Sequence, residues 1–123
     1  MSTPKKRILC VEDHESMCQL ISVILKGYEV ISARSKAEAI RLLATEQFDL
    51  ILLDYYLPDG TGFELCLFIR SSDQKTPLLF VTSEVAITEA EVLNLGAQGV
   101  IRKGASLVEK LKIGVSNILV SAN

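Results

Sequence analysis

Five short apolar runs alternate with longer amphipathic segments along the whole chain. The runs are residues 8–11, 28–33, 50–53, 78–81 and 100–101. Several are apolar at every position, which is typical of parallel strands covered on both faces. Alternating strands and helices favour a single parallel sheet with right-handed crossovers. The sequence therefore predicts an α/β fold of the (βα)5 type, a flavodoxin-like doubly wound five-stranded parallel sheet with strand order 2-1-3-4-5.

Helix signals fill the segments between these runs. Four segments open on a capping box, in which a hydroxyl and a glutamate three residues later satisfy free backbone N–H groups: Ser35/Glu38, Thr61/Glu64, Thr88/Glu91 and Ser106/Glu109. The first helix is predicted to bury one face, formed by Met17, Leu20, Ile21, Ile24 and Leu25. We expect Gly27 and Gly96 at helix ends that need a positive φ.

The fifth helix has two apolar sides. The face predicted to pack on the sheet is formed by Val108, Leu111, Val115, Ile118 and Leu119. Ile113 and Val120 fall on the opposite side. This exposed pair makes the surface of the fourth and fifth helices a candidate for homodimerisation or partner binding.

Composition limits the class of protein. The 123 residues suit one domain over residues 1–123, and 49% apolar with 23% charged residues is typical of a globular chain. Thirteen basic against fifteen acidic residues do not favour a nucleic-acid surface, and no apolar segment approaches the roughly 20 residues that cross a bilayer. Cys10, Cys18 and Cys66 form no CxxC pair, so we expect reduced, buried thiols. With no leader-like apolar core near residue 1, a cytoplasmic protein is predicted.

Polar residues follow the strands at their carboxyl ends. They are Glu12 and Asp13 after the first strand, Asp54 after the third, Thr82 at the fourth and Lys103 after the fifth. In a doubly wound sheet these ends meet at one edge, beside the switch point of the strand order. We therefore expect the five side chains to converge on one site.

Three carboxylates in one site repel one another unless a cation joins them. Mg²⁺ prefers oxygen ligands and commonly takes one or two carboxylates. A lysine opposite would hold an incoming anion, and a hydroxyl could donate a hydrogen bond to it. This set favours an aspartyl nucleophile that attacks a phosphoryl group, with a metal and the lysine balancing charge.

These residues resemble those of the receiver domains of two-component response regulators, and the resemblance covers essentially the whole chain. It rests on Glu12-Asp13 after ILCV, Asp54 in LLDYYLPDGTG, Thr82 in LLFVTS and Lys103 after GAQGVIR. It implies that Asp54 is the phosphoacceptor, that Thr82 bonds the phosphoryl group and shifts on activation, and that Lys103 pairs with a phosphoryl oxygen. It also implies an Mg²⁺ site formed by Glu12, Asp13, Asp54 and the backbone carbonyl of Tyr56.

The resemblance also implies partners and limits the activity. The phosphoryl donor would be a histidine kinase or a phosphotransfer protein, and the chain would act in phosphorelay signalling by changing its binding to a downstream protein. The chain would be no enzyme beyond the phosphorylation and dephosphorylation of its own Asp54. No direct contact with nucleic acid or membrane is expected.

Two positions depart from the family pattern. Gly104 follows Lys103, where the family has a proline in a cis peptide. Without proline a cis bond costs about 2.5–4 kcal/mol, so we expect either a trans bond or a strained cis bond. Val100 stands where the family has Tyr or Phe. The signal is therefore expected to leave by the loop after Thr82 or by the fourth helix.

Three further residues flank the predicted site. Tyr56 and Glu84 occupy positions that, in the family, tune how water reaches the acyl phosphate, and a bulky Tyr56 would slow hydrolysis. His14 is the only histidine and is expected to be an exposed residue in the first turn of the first helix.

Three other functions fit parts of the sequence. A flavodoxin-like nucleotide or flavin binder needs a phosphate loop after the first strand, where VEDHES is acidic instead. An aspartyl-nucleophile phosphatase is suggested by Asp59-Gly60-Thr61, similar to the end of the haloacid dehalogenase motif DxDGT, but Leu57 stands at the nucleophile position. A pseudo-receiver that binds partners without phosphorylation is left open by Val100 and Gly104, whereas the complete set of acids, Thr82 and Lys103 argue against it.

Overall fold

The computed structural model describes residues 4–121. Its strands are β1 (Arg7–Val11), β2 (Glu29–Ala33), β3 (Leu50–Leu53), β4 (Tyr56–Leu57), β5 (Gly60–Thr61), β6 (Leu78–Thr82) and β7 (Gly99–Arg102). Its helices are α1 (Glu15–Ile24), α2 (Lys36–Thr45), α3 (Gly62–Arg70), α4 (Glu89–Asn94) and α5 (Leu107–Ser121). Five parallel strands form one sheet in the order β2-β1-β3-β6-β7. This confirms the predicted (βα)5 fold and its strand order.

The register of the sheet brings the carboxyl ends of the strands together. Val11 pairs with Leu53, Leu53 pairs with Phe80, and Thr82 pairs with Arg102. The residues that follow β1, β3 and β7 therefore leave the sheet at the same edge. This is the edge where ligands bind in open α/β sheets.

Apolar clusters cover both faces of the sheet. One cluster packs the sheet against α2, α3 and α4, and the other packs it against α1 and α5. The four residues of β3 lie at the centre and are at most 1% exposed. Because β3 has no solvent side, all of its positions are apolar. Within residues 4–121, none of the helices is long and apolar enough to cross a bilayer.

The four predicted capping boxes mark the starts of α2, α3, α4 and α5, each of which begins on the residue after the predicted cap. The box is complete in α3 and α4, where Thr61 and Thr88 exchange hydrogen bonds with the glutamate three positions on. In α2, Ser35 Oγ accepts from the backbone N–H of Glu38, but the Glu38 carboxylate accepts from Arg34 instead. Asp59 also caps α2, since its carboxylate accepts from the backbone N–H groups of Lys36 and Ala37.

Two predicted helix faces are displaced by one or two residues. In α1, Leu20 is exposed and Cys18 lies on the buried face instead. In α5, Val108 is exposed and Leu107 is buried in its place. At 100° per residue these residues lie on opposite edges of the predicted face, so in each helix the buried face is rotated about the axis while its centre, Ile21 or Leu111, stays buried. The predicted burial of the free thiols is confirmed for all three cysteines.

Gly27 and Gly96 were both predicted to end helices, and a small hairpin follows β3. Gly96 has a φ of +97°, as predicted, whereas the prediction of a positive φ at Gly27 is wrong. The antiparallel pair β4–β5 was not predicted. Pro58 and Asp59 form its turn, and Gly60, the first residue of β5, has a φ of +155° that favours glycine.

Candidate functional site

Lys103 joins two of the acids at the sheet edge. Its Nζ lies 2.6 Å from Glu12 Oε1 and 2.9 Å from Asp54 Oδ2. The side chains of Lys103, Glu12 and Asp54 are 13%, 2% and 6% exposed. Burial alone lowers the pKa of Lys103, but the hydrogen bonds to Glu12 and Asp54 outweigh it and hold that pKa above its ordinary value. The ammonium is therefore a stable positive charge against Asp54.

Asp13, the residue after Glu12, carries a carboxylate oxygen without a hydrogen-bond partner. Within the described residues, its Oδ1 is shielded from solvent and accepts no hydrogen bond. The ring nitrogen Nδ1 of His14 lies 3.2 Å away but outside hydrogen-bond geometry. A buried carboxylate oxygen without a donor is stabilised by a cation. The donor set, carboxylate oxygens at one edge of the sheet, fits a hard divalent ion such as Mg²⁺.

The Asp54 carboxylate is fixed by its surroundings. Its Oδ1 accepts from the backbone N–H of Tyr55 at 2.7 Å, while its own N–H donates to the carbonyl of Val11 at 3.1 Å. The chain then turns so that Gly62 packs directly on the backbone of Asp54. A Cβ at Gly62 would clash with the Asp54 carbonyl and lie 2.9 Å from the ring of Phe80. Nothing in the sequence marks this glycine, since it has no positive φ and only close packing requires it.

Thr82 ends β6 and is completely buried. Its Oγ1 accepts from the backbone N–H of Glu84 at 3.1 Å, and its carbonyl accepts from the N–H of Lys103 at 3.0 Å. Thr82 is therefore tied both to the β6–α4 loop and to the backbone of the lysine. A displacement of Thr82 would move that loop.

Tyr56 and Arg102 hold the same loop from two sides. The Tyr56 hydroxyl donates to the Glu84 carboxylate, a bond that raises the pKa of Tyr56 and lowers that of Glu84. The Arg102 guanidinium donates to the carbonyl of Glu84 at 2.8 Å and to the carbonyl of Ile87. Arg102 was missed from the sequence, because an arginine at a strand end is ordinarily a solvated surface residue.

Gly104 and Val100, the two residues that depart from the family pattern, both lie in or next to β7. The Lys103–Gly104 bond is trans, which was one of the two expected forms. Gly104 has a φ of +154°, and the Lys103 ammonium nevertheless reaches both acids. Val100 is half-buried in β7, two residues before Arg102 and so on the same side of the strand.

The predicted site residues all lie at one edge of the sheet. Glu12, Asp54 and Lys103 are in direct contact, and Thr82 bonds Lys103 through the backbone. Tyr56 lies two residues beyond Asp54 in β4, with an exposed ring. His14 is exposed as predicted, at the N-cap of α1 rather than within its first turn. The chemical roles of these residues stay predictions.

Solved structures define the class to which this fold belongs. A two-component response regulator from Clostridium difficile matches with a TM-score of 0.84 at 30% identity, covering 97% of this chain and 99% of that one. The response regulator TrrA from Thermotoga maritima, in complex with Mg(2+)-BeF, matches with a TM-score of 0.84 at 26% identity, covering 93% and 99%. The fold is that of a CheY-like receiver domain.

The family follows from the sequence comparison. The pattern of the family described as response regulator receiver domain matches residues 8–113. The chain therefore belongs to this family, whose members are signalling domains of two-component systems.

Curated relatives are longer than this chain. It is similar to the alkaline phosphatase synthesis transcriptional regulatory protein PhoP of Bacillus subtilis, at 40% identity over 64% of this chain and 34% of PhoP. It is also similar to the response regulator protein PilR of Pseudomonas aeruginosa, at 33% identity over 84% of this chain and 24% of PilR. The chain thus spans about a quarter to a third of the length of these two relatives.

Proposed function

We propose that Asp54 accepts a phosphoryl group from a histidine kinase or a phosphotransfer protein in an Mg²⁺-dependent reaction. The observation that carries this proposal is the contact between Lys103 Nζ and Asp54 Oδ2 at 2.9 Å, with Asp54 only 5% exposed. A buried carboxylate held against a lysine, at the ligand-binding edge of the sheet, suits a nucleophile whose product is an anion.

The transfer requires little covalent chemistry from the protein. An oxygen of Asp54 attacks the phosphorus of a phosphohistidine, so that a P–O bond forms as the P–N bond breaks. The donor imidazole leaves as the neutral ring, because it carried a proton on its other nitrogen. Lys103 then moves its hydrogen bond from the carboxylate to a phosphoryl oxygen, and the Thr82 hydroxyl donates to another.

The metal would be held by Asp13, Asp54 and the backbone carbonyl of Tyr56, with Glu12 beside them. The solvent-shielded Oδ1 of Asp13, which accepts no hydrogen bond, supports this assignment. The similar protein TrrA was solved in complex with Mg(2+)-BeF. When bound, Mg²⁺ would offset the charge of the acids and of the transferring phosphoryl group.

Intact-protein mass after incubation with Mg²⁺ and acetyl phosphate tests the proposal. We expect the mass of one phosphoryl group to be added to the wild type, and none to be added to Asp54→Asn or without Mg²⁺. Asp59→Asn is the matched control, because Asp59 caps α2 through the N–H groups of Lys36 and Ala37 and should label normally. An unlabelled wild type would contradict the proposal and favour a pseudo-receiver.

The signal is proposed to leave through the β6–α4 loop and α4. Val100 has no aromatic ring that could reorient on activation. Thr82, in contrast, is hydrogen-bonded to the first turn of that loop through the backbone N–H of Glu84. A shift of Thr82 towards a phosphoryl group would break this bond and free the loop to change its contacts. Amide hydrogen exchange in the loop should rise on phosphorylation, and unchanged exchange would exclude this route.

We propose that movement of the β6–α4 loop changes the binding of a downstream protein. The chain is proposed to act as one domain, in the cytoplasm. Ile113 and Val120 are exposed on α5, which makes the α4–α5 surface the proposed place for a homodimer. Light scattering with and without phosphorylation distinguishes a homodimer from a monomer. A monomer in both states would exclude the dimer.

A further inference from the structure

The side chain of Arg34 reaches from the end of β2 to the loop that follows β1. Its Nε and Nη2 both donate to the backbone carbonyl oxygen of Asp13, at 3.0 Å and 2.7 Å. Two donors of one guanidinium therefore converge on a single acceptor 21 positions away in the sequence. Because the guanidinium is planar and its donors are fixed relative to one another, this contact restrains the carbonyl in direction as well as in distance.

Both ends of this contact start from fixed backbone. The backbone N–H of Arg34 donates to the carboxylate of Glu38, in the first turn of α2, at 2.8 Å. The backbone N–H of Glu12 donates to the carbonyl of Ala33 at 2.9 Å, which continues the pairing of β1 with β2. Arg34 therefore holds Asp13 from a rigid support.

The loop between β1 and α1 presents three successive carbonyls that each accept a hydrogen bond. The carbonyl of Glu12 accepts from the thiol of Cys18 at 3.2 Å, and that of His14 accepts from the backbone N–H of Cys18 at 3.0 Å. Both of these donors belong to α1. The bonds from Arg34 to the Asp13 carbonyl join the same loop to the end of β2.

The carboxylate of Asp13 depends on this backbone for its position. Within residues 4–121, its Oδ1 is shielded from solvent and accepts no hydrogen bond. A donor that restrains the Asp13 carbonyl therefore also restrains where this oxygen points. Groups that orient a metal ligand from behind typically contribute about 10-fold to 100-fold in metal affinity.

We propose that Arg34 is a positioning residue of the phosphorylation site, which holds the Asp13 carboxylate in place for the divalent cation by fixing the Asp13 backbone. The inference rests on the proposed function, because Asp13 is one of the acids proposed to hold Mg²⁺. Arg34 acts through Asp13 and takes no part in the transfer of the phosphoryl group to Asp54.

The test compares three variants. Arg34→Met keeps much of the aliphatic stem but removes every donor, whereas Arg34→Lys keeps the charge on a single nitrogen. Arg41→Met is the matched control, because it removes an arginine from the exposed surface of α2, where its guanidinium lies 3.7 Å from the Glu38 carboxylate. Arg34 and Arg41 are both exposed, so all three variants should fold.

The first measurement needs no metal. The carbonyl ¹³C resonance of Asp13 reports directly on the hydrogen bonds that this carbonyl accepts. We expect Arg34→Met to move the resonance upfield and to speed amide exchange in the β1–α1 loop. Arg41→Met should leave both unchanged. An unmoved Asp13 resonance in Arg34→Met would overturn the proposal.

The second measurement is Mg²⁺ affinity by calorimetry. Arg34→Met should bind Mg²⁺ about tenfold more weakly than the wild type, and Arg41→Met should bind it equally well. Arg34→Lys should recover part of the loss, since one nitrogen replaces two. Equal Mg²⁺ affinity in Arg34→Met would also overturn the proposal.

The rate of phosphorylation separates positioning from a direct role in the transfer. At saturating Mg²⁺ we expect Arg34→Met to approach the wild-type rate, because Asp54 and Lys103 are unchanged. A rate loss that persists at saturating Mg²⁺ would exclude action through the metal ligand. A wild type that binds Mg²⁺ but accepts no phosphoryl group would contradict the proposed function alone, since the carbonyl resonance and the Mg²⁺ affinities still decide the role of Arg34.

Discussion

Replacing Lys103 by methionine tests the electrostatic argument for the site. Methionine keeps much of the aliphatic stem but removes the ammonium, which lies 2.6 Å from Glu12 and 2.9 Å from Asp54. Two buried carboxylates then face each other without a counter-charge. Removing one partner of a buried ion pair typically costs about 3–5 kcal/mol.

We place the expected loss for Lys103→Met at about 3 kcal/mol, the lower end of that range, because the site opens to solvent on one side. For a chain of 123 residues this corresponds to a fall in Tm of roughly 10 °C. Urea unfolding and calorimetry measure the two quantities. The exposed Lys112, replaced by methionine, is the matched control.

Mg²⁺ should stabilise Lys103→Met more than the wild type, because it supplies the missing positive charge to the acids. A loss below about 1 kcal/mol, or one no larger than that of the Lys112 control, would refute the argument that Lys103 stabilises buried acids. Equal stabilisation of both proteins by Mg²⁺ would refute the idea that lysine and metal act on the same carboxylates.

The raised pKa of Lys103 predicts that folding stability depends on pH. Its pKa in the folded chain is raised above the ordinary value of 10.5. Its contribution to stability is therefore complete below that value and is lost as the pH rises through the higher folded-state pKa. The stability difference between wild type and Lys103→Met should be constant from about pH 7 to about pH 10 and shrink above it. A stability difference between the two proteins that grows above about pH 10 would contradict this prediction.

Three other substitutions probe the surroundings of the site. Tyr56→Ala should shorten the lifetime of phosphorylated Asp54, because the ring no longer restricts water; slower or unchanged loss of the label, followed by mass spectrometry, would contradict this. Gly62→Ala should cost about 2–3 kcal/mol or more, because its Cβ would meet the backbone of Asp54, whereas Gly27→Ala meets nothing within 4 Å and should show no loss. Arg102→Met should speed amide exchange in the β6–α4 loop but not in β1, since two loop carbonyls lose their donor; uniform exchange would exclude a local role.

The sheet and the convergence of the site were predictable from the sequence because each depends on a strong pattern. Apolar runs marked the five long strands, and the rule that strand ends meet at one edge placed Glu12, Asp54 and Lys103 together. Neither inference required knowledge of individual contacts.

Contacts between distant residues were not predictable in the same way. The β4–β5 hairpin has strands of two residues, too short to carry a period. Arg102 bonds carbonyls 15 and 18 positions away in the sequence, and nothing local to it indicates those acceptors. The position of His14 between two acids depends on how α1 leaves β1, which becomes visible only in three dimensions.

The three buried thiols have a practical consequence for measuring how this chain opens. Cys10 lies in β1 beside the site, Cys18 faces inward from α1, and Cys66 is a buried residue of α3. Burial raises the pKa of all three, so the reactive thiolate is scarce while the chain is folded. Alkylation of each cysteine therefore proceeds through opening of its own element. The three cysteines are therefore natural probes of local opening, and their alkylation rates report separately on β1, α1 and α3.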